Sequence, residues 1–70
     1  MAIEIEIHLN GERQTVAADA TVADLVRARG LVAAQVAVEV NKDIVPRAVH
    51  SATTLAAGDR VEIVTLVGGG

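Results

Sequence analysis

An α+β fold, a mixed sheet packed on one main helix, is predicted by three observations. The chain opens on a strictly alternating apolar stripe, carries one capped helix pattern in its first half, and closes on a strongly β-forming run. Seventy residues suffice for a single domain. The composition supports a sheet: 51 per cent of residues are apolar but none is Phe, Tyr or Trp, so the core must come from 12 Val, 5 Ile, 5 Leu and some of the Ala. Branched aliphatics favour strands.

From Ile3 the residues alternate, with Ile3, Ile5, Ile7 and Leu9 on one face and Glu4, Glu6, His8 and Asn10 on the other, the pattern of a half-buried strand. Asn10-Gly11 is a hairpin signal, because both central residues of a type I′ turn need positive φ. A two-residue loop sets Ile5 opposite Val16 on the core face and His8 opposite Arg13 on the wet side. Thr21 followed by Asp24 reads as a capping box with Asp in place of Glu. Val22, Leu25 and Val26 form the apolar stripe of a helix of about eight residues, Arg27 and Arg29 suit its last turn, and Gly30 stops it with Leu31 folding back. Val36, Val38 and Val40 mark a third strand, Asn41-Lys42-Asp43 a turn, and Ile44-Val45 a short fourth strand closed by Pro46. Residues 48–57 are expected to be irregular, with Leu55 as their anchor in the core, and Gly58-Asp59 is a turn. The last strand runs over Arg60-Val61-Glu62-Ile63-Val64-Thr65-Leu66-Val67.

This order of strands around one helix matches a β-grasp sheet, with the first and last strands parallel and side by side in the middle. Val61 and Ile63 face the core, yet the opposite face of the last strand ends in Val64 and Leu66. Central strands can be covered on both faces, but a chain with one clear helix has little to cover a second face with. Val64 and Leu66 are therefore expected in an exposed apolar patch. Gly68, Gly69 and Gly70 follow at once. Glycine loses the most backbone freedom on ordering, so a fold gains nothing from such a run. The expected division is a domain over residues 1–66 and a flexible glycine tail over 67–70, ending in a free α-carboxylate. Extended, Val67 to Gly70 reach about 13 Å at roughly 3.3 Å per residue, and without side chains they can enter a narrow cleft.

Several functions are disfavoured. The net charge of −3 and the lack of aromatic platforms argue against nucleic acid. The absence of Cys removes disulfides, thiolate nucleophiles and zinc knuckles from this chain. No run approaches a membrane span and the first residues do not resemble a signal peptide, so a soluble cytoplasmic protein is expected. His8 and His50 lack partners at metal-ligand spacing and read as ordinary exposed residues. Asp19, Asp24 and Asp43 read as turn and cap residues, and Arg47 as a solvated residue or a salt bridge to a partner. No metal site, bound cofactor or catalytic constellation is expected.

The stretches Leu9-Asn10-Gly11-Glu12, Ala20-Thr21-Val22-Ala23-Asp24-Leu25, Val38-Glu39-Val40-Asn41, Ile44-Val45-Pro46-Arg47, and Gly58-Asp59-Arg60-Val61-Glu62-Ile63-Val64 leading to Val67-Gly68-Gly69-Gly70 resemble the bacterial thiamine-biosynthesis sulfur carriers, members of the ubiquitin-like β-grasp proteins. The likeness runs the length of the chain. It implies a carrier protein, not an enzyme: its terminal carboxylate is adenylated by an E1-like adenylyltransferase using Mg-ATP, converted to a thiocarboxylate, and drained of sulfur by thiazole synthase. By position, Gly70 would carry the sulfur, Gly68 and Gly69 would thread the partner's channel, and Val64, Leu66 and Val67 would dock the carrier. Leu66 departs from the aromatic residue expected in many members; a Leu keeps the apolar contact with less area. The small subunit of molybdopterin synthase is similar in fold and ends in Gly-Gly. A β-grasp binding or regulatory module is an alternative of another class, disfavoured by the acidic balance. Conjugation of the whole protein to lysines would use the same activated carboxylate.

Overall fold

A computed structural model describes residues 3–66 of the chain. Five strands form one sheet: β1 (Glu4–Leu9), β2 (Glu12–Ala17), β3 (Val36–Val40), β4 (Asp43–Val45) and β5 (Arg60–Thr65). Their order is β2-β1-β5-β3-β4, with β1 and β5 parallel and every other neighbouring pair antiparallel. The one α-helix among the described residues, α1 (Val22–Ala28), packs on one face. Four pairings, three antiparallel and one parallel, thus place the last strand at the centre of the sheet, as expected of a β-grasp.

The first hairpin has the expected register, Ile5 opposite Val16 and His8 opposite Arg13. Asn10 (φ 50°) and Gly11 (φ 85°) form its left-handed turn. The second hairpin is tighter than expected. Val40 pairs with Asp43, so the loop is only Asn41 (φ 52°) and Lys42 (φ 73°), and Asp43 belongs to β4. Asparagine tolerates this region because its short polar side chain can bond locally.

The helix is bounded by the residues the sequence offered. Thr21 Oγ1 accepts from the Asp24 N–H (3.2 Å), and Asp24 Oδ2 accepts from the Thr21 N–H (2.9 Å). At the other end the Gly30 N–H donates to the Arg27 carbonyl (2.9 Å) and the Leu31 N–H to the Val26 carbonyl (3.1 Å), satisfying the last turn. The hydrogen bonds from Thr21, assisted by Arg27, hold the Asp24 carboxyl below its ordinary value of 3.8. A lowered folded value means that the ionised carboxylate stabilises the fold fully above the ordinary carboxylate range, and that this contribution is lost as pH falls through the folded value. An Asp24→Asn variant is expected to lose stability at neutral pH while approaching the parent at acid pH. Urea midpoints of the two proteins across that range check it.

The core lies between the sheet and α1. It comprises Ile7 and Leu9 from β1, Val36 and Val38 from β3, Val61 and Ile63 from β5, Val22, Leu25 and Val26 from α1, and Leu55. Ile5, Val16, Leu31, Val40 and Val45 pack around it. Ile3 is the exception to the alternating stripe. It precedes β1 and is 73 % exposed, because its carbonyl, accepting from the Ala18 N–H, is where the sheet begins.

Residues 48–57 are less irregular than expected. Arg47–Ala52 form a 3₁₀ segment that packs against α1, and a second 3₁₀ turn, Ala33–Gln35, leads into β3. The longer segment overturns the reading of His50 as an exposed residue. Its ring is buried, and Nε2–H donates to the Val45 carbonyl at 3.1 Å. The 3₁₀ coil turns the ring inward, so His50 ties the segment to β4 as a structural residue. Beyond it, the Val22 N–H donates to the Thr53 carbonyl and the Leu55 N–H to the Ala20 carbonyl, each at 2.9 Å, which seats Leu55 beside the helix start. No helix among the described residues is long and apolar enough to cross a membrane.

Candidate functional site at the end of the central strand

Hydrogen bonding fixes which way each residue of β5 faces. The Asn41 N–H donates to the Arg60 carbonyl (2.7 Å) and the Leu66 N–H to the Gln35 carbonyl (2.8 Å). In the antiparallel register with β3, the backbone groups of Arg60, Glu62, Val64 and Leu66 therefore point toward β3, and those of Val61, Ile63 and Thr65 toward β1. Side chains alternate across the sheet: Val61 and Ile63 enter the core, whereas Glu62 and Val64 stand on the face opposite α1. Val64 is 55 % and Leu66 54 % exposed. The expected patch exists at these two residues. Val67, Gly68, Gly69 and Gly70 lie outside the described residues.

The fold adds neighbours that sequence reading missed. Ala37 is the cross-strand partner of Val64, and Ile44, 73 % exposed, pairs with Glu39 on the same face. Glu39 in turn lies directly opposite Glu62. Like charges in that position destabilise a sheet. The only ion pair among the described residues is Arg27–Asp24 on the helix (3.7 Å), so neither glutamate is neutralised within the fold. This face thus carries Ala37 and Val64 in one cross-strand row and Ile44, Glu39 and Glu62 in the next. Alternation within each strand could have placed Ala37 and Ile44 on one face, but only the pairing of strands far apart in sequence sets Ala37 beside Val64 and Ile44 in the neighbouring row.

Elsewhere the described surface offers little chemistry. No three His, Cys, Asp or Glu come together to hold a metal ion. His8 is half-buried beside Arg13 and Arg60, not fully exposed as expected, and its Nδ1 has no partner among the described residues. Asp19 and Arg47 are exposed, Asp24 caps the helix, and Asp43 is an exposed strand residue. A groove of about 260 Å³ runs between β2 and α1, lined by Val16, Ala17, Ala20 and Leu25 among others. A second depression, about 310 Å³, lies at Asn41, Lys42, Arg60 and Glu62.

The sequence profile of the ThiS family matches residues 7–70. The chain belongs to the ThiS family. Among solved ThiS structures, the crystal structure of the thiamine biosynthesis protein ThiS from Geobacter metallireducens is 35% identical and superposes with a TM-score of 0.80, covering 94% of this chain and 100% of that one. The solution NMR structure from the same organism gives a TM-score of 0.77 at 35% identity, over 94% of this chain and 88% of that one. The five-stranded mixed sheet on one helix is thus the ThiS β-grasp. Two curated relatives are proteins named thiazole synthase. That of Magnetococcus marinus is 39% identical over 66 residues, and that of Paramagnetospirillum magneticum 36% over 66. In both cases the match takes 94% of this chain and 20% of the relative, so the chain spans about a fifth of their length.

Proposed function

We propose that this ThiS-family chain is the sulfur carrier of thiazole formation in thiamine biosynthesis, with Gly70 as the carrying residue. The observation that carries this reading is the family match, which runs through the glycines to residue 70. Carboxylates are poor electrophiles, and the chemistry follows from that. A Gly70 carboxylate oxygen attacks the α-phosphorus of ATP and pyrophosphate leaves, forming an acyl adenylate. A hydrosulfide-equivalent nucleophile then attacks the carbonyl carbon, forming the C–S bond as AMP departs with its oxygen. The thiocarboxylate so made gives its sulfur to thiazole synthase. On this reading an E1-like, ThiF-type adenylyltransferase supplies the acid–base groups and the magnesium-bound ATP. Gly68 and Gly69 thread the partner's channel, where a side chain would meet the wall.

On this reading Val64, Leu66 and Val67 dock the carrier, and Ala37 and Ile44, on the same face as Val64, are proposed as further contacts. The facing carboxylates of Glu39 and Glu62 favour a partner with basic residues around an apolar pocket. Thiazole synthase is favoured over molybdopterin synthase as the acceptor, since a stretch similar to this chain occurs within proteins named thiazole synthase.

Incubation with the activating enzyme, ATP and a sulfur donor, followed by intact-mass measurement, tests the reading. One carboxylate oxygen should be exchanged for sulfur; an unchanged mass with a competent enzyme overturns it, and a ladder of heavier adducts points to conjugation instead. Val64→Asp, at a half-exposed position, should leave folding intact and raise KM for the carrier about thirtyfold, the equivalent of losing a contact of about 2 kcal/mol at the centre of an interface. An unchanged KM would move the docking surface elsewhere.

A further inference from the structure

We propose that Asn10, in the first hairpin turn, is a positioning residue for the carrier: its carboxamide fixes the end of β5, and with it the course on which the chain leaves the sheet. The inference rests on the carrier reading above. The toward-β1 edge of β5 is tied by the His8 N–H to the Asp59 carbonyl and the Asn10 N–H to the Val61 carbonyl, each at 2.9 Å. The next groups on that edge belong to Ile63, but β1 has ended and the chain has turned away at Asn10. No β1 backbone continues the pairing there. The Asn10 side chain takes its place: Oδ1 accepts from the Ile63 N–H at 2.9 Å, and Nδ2–H donates to the Ile63 carbonyl at 3.1 Å. A carboxamide carries the same donor and acceptor as a peptide group, so Asn10 extends the ladder by one residue with a side chain.

This tie is the last on its edge. Thr65 is the next residue facing that way, and its backbone has no partner among the described residues. On the other edge β3 holds β5 as far as Leu66, through Ala37 opposite Val64 and the bond to Gln35. With Asn10 removed, β5 beyond Val61 is held from one side only and can swing about that line. A swing there moves both Val64 and whatever follows Leu66. Displacement of a reacting group by about 1 Å can cost about a hundredfold in rate.

The second hairpin provides a matched control. Asn41 also sits in a left-handed turn, and its Oδ1 also accepts from the β5 backbone, at the Arg60 N–H (3.0 Å). That bond lies at the start of β5, away from the tail. Asn10→Gly and Asn41→Gly keep the turn conformation, since glycine accepts positive φ, and each deletes its side-chain ties to β5. Sulfur loading is followed by intact mass with the activating enzyme, ATP and a sulfur donor, at a temperature where both variants are more than nine-tenths folded by circular dichroism. The expected result is that Asn10→Gly lowers kcat for loading between about tenfold and a hundredfold. Asn41→Gly is expected to stay near the parent. Hydrogen exchange should quicken at the Ile63 amide in Asn10→Gly and remain slow at Val38. Asn10→Asp, which keeps the acceptor for the Ile63 N–H, should recover part of the lost rate.

Equal slowing in both glycine variants would reduce Asn10 to a stabilising residue and overturn the proposal. So would parental loading, or unchanged Ile63 exchange, in Asn10→Gly. A parent chain that takes no sulfur removes the carrier reading and this one with it, whereas parental loading with an indifferent Asn10→Gly removes this one alone. Should Asn10→Gly not fold, Asn10→Asp carries the same kinetic comparison, with the donor to the Ile63 carbonyl replaced by a carboxylate oxygen that repels it.

Discussion

Deleting Gly70 should abolish sulfur loading and leave the melting temperature of the domain unchanged. The two halves of this result have separate causes. Among the described residues every buried core residue lies between Ile7 and Ile63, and a glycine has no side chain to add to the apolar contacts that hold the sheet on α1. Its removal, however, draws the reacting carboxylate back by one residue, roughly 3.3 Å along an extended chain. Acyl transfer needs its reacting atoms about 3–3.5 Å apart, so a shift of that size removes the attack geometry outright. One alanine appended after Gly70 should have the same effect from the opposite direction. Gly69→Ala is the graded case: the carboxylate keeps its place and only a methyl is added, so loading slows without stopping. Intact-mass time courses and thermal melts of the three proteins decide the matter. Loading that survives the deletion would refute the assignment of Gly70, and a fallen melting temperature would make the tail part of the fold.

Ile7→Ala should remove about half of the protein's stability. Ile7 sits on β1 between β2 and β5 and is fully buried. Truncating a buried Ile to Ala costs about 2–5 kcal/mol, since the transfer energy of the lost methyl groups adds to that of the cavity left behind. At about 0.05–0.15 kcal/mol per residue, a domain of this size has only about 3.5–10 kcal/mol in total. The urea midpoint should fall by about half with an unchanged slope. Val64→Ala is the contrast, with an expected change within about 0.5 kcal/mol because the side chain is half in water in the folded state. A midpoint that barely moves in Ile7→Ala would mean that the sheet can close over the cavity. The core would then be less tightly packed than its branched side chains imply.

These two results separate residues that make the fold from residues that use it, and the same separation runs through how the sequence could be read. The strands and the helix were legible because their causes are local, although β1 begins after Ile3, β4 takes in Asp43 and β5 ends at Thr65 before Leu66. Period-two alternation, Thr21 with Asp24, Gly30 with Leu31, and Asn10-Gly11 each act within a few residues, so the chain states them directly. The exposed patch at Val64 and Leu66 was legible for a related reason, as an apolar run longer than one helix could cover.

Other features had no local signature. His50 is buried because a 3₁₀ segment coils under α1 and brings the ring to the Val45 carbonyl, a preference that a six-residue stretch with no apolar period does not announce. Asn10 read as a turn residue and is one, yet its side chain also completes the edge of a strand 53 residues later. Glu39 and Glu62 read as solvated charges until the antiparallel register set them face to face. Local steric and capping preferences thus wrote the elements and their order into the chain. Which side chains meet across the sheet, and which backbone groups are left for a side chain to satisfy, followed only when distant strands paired, because hydrogen-bond register is a property of two strands at once.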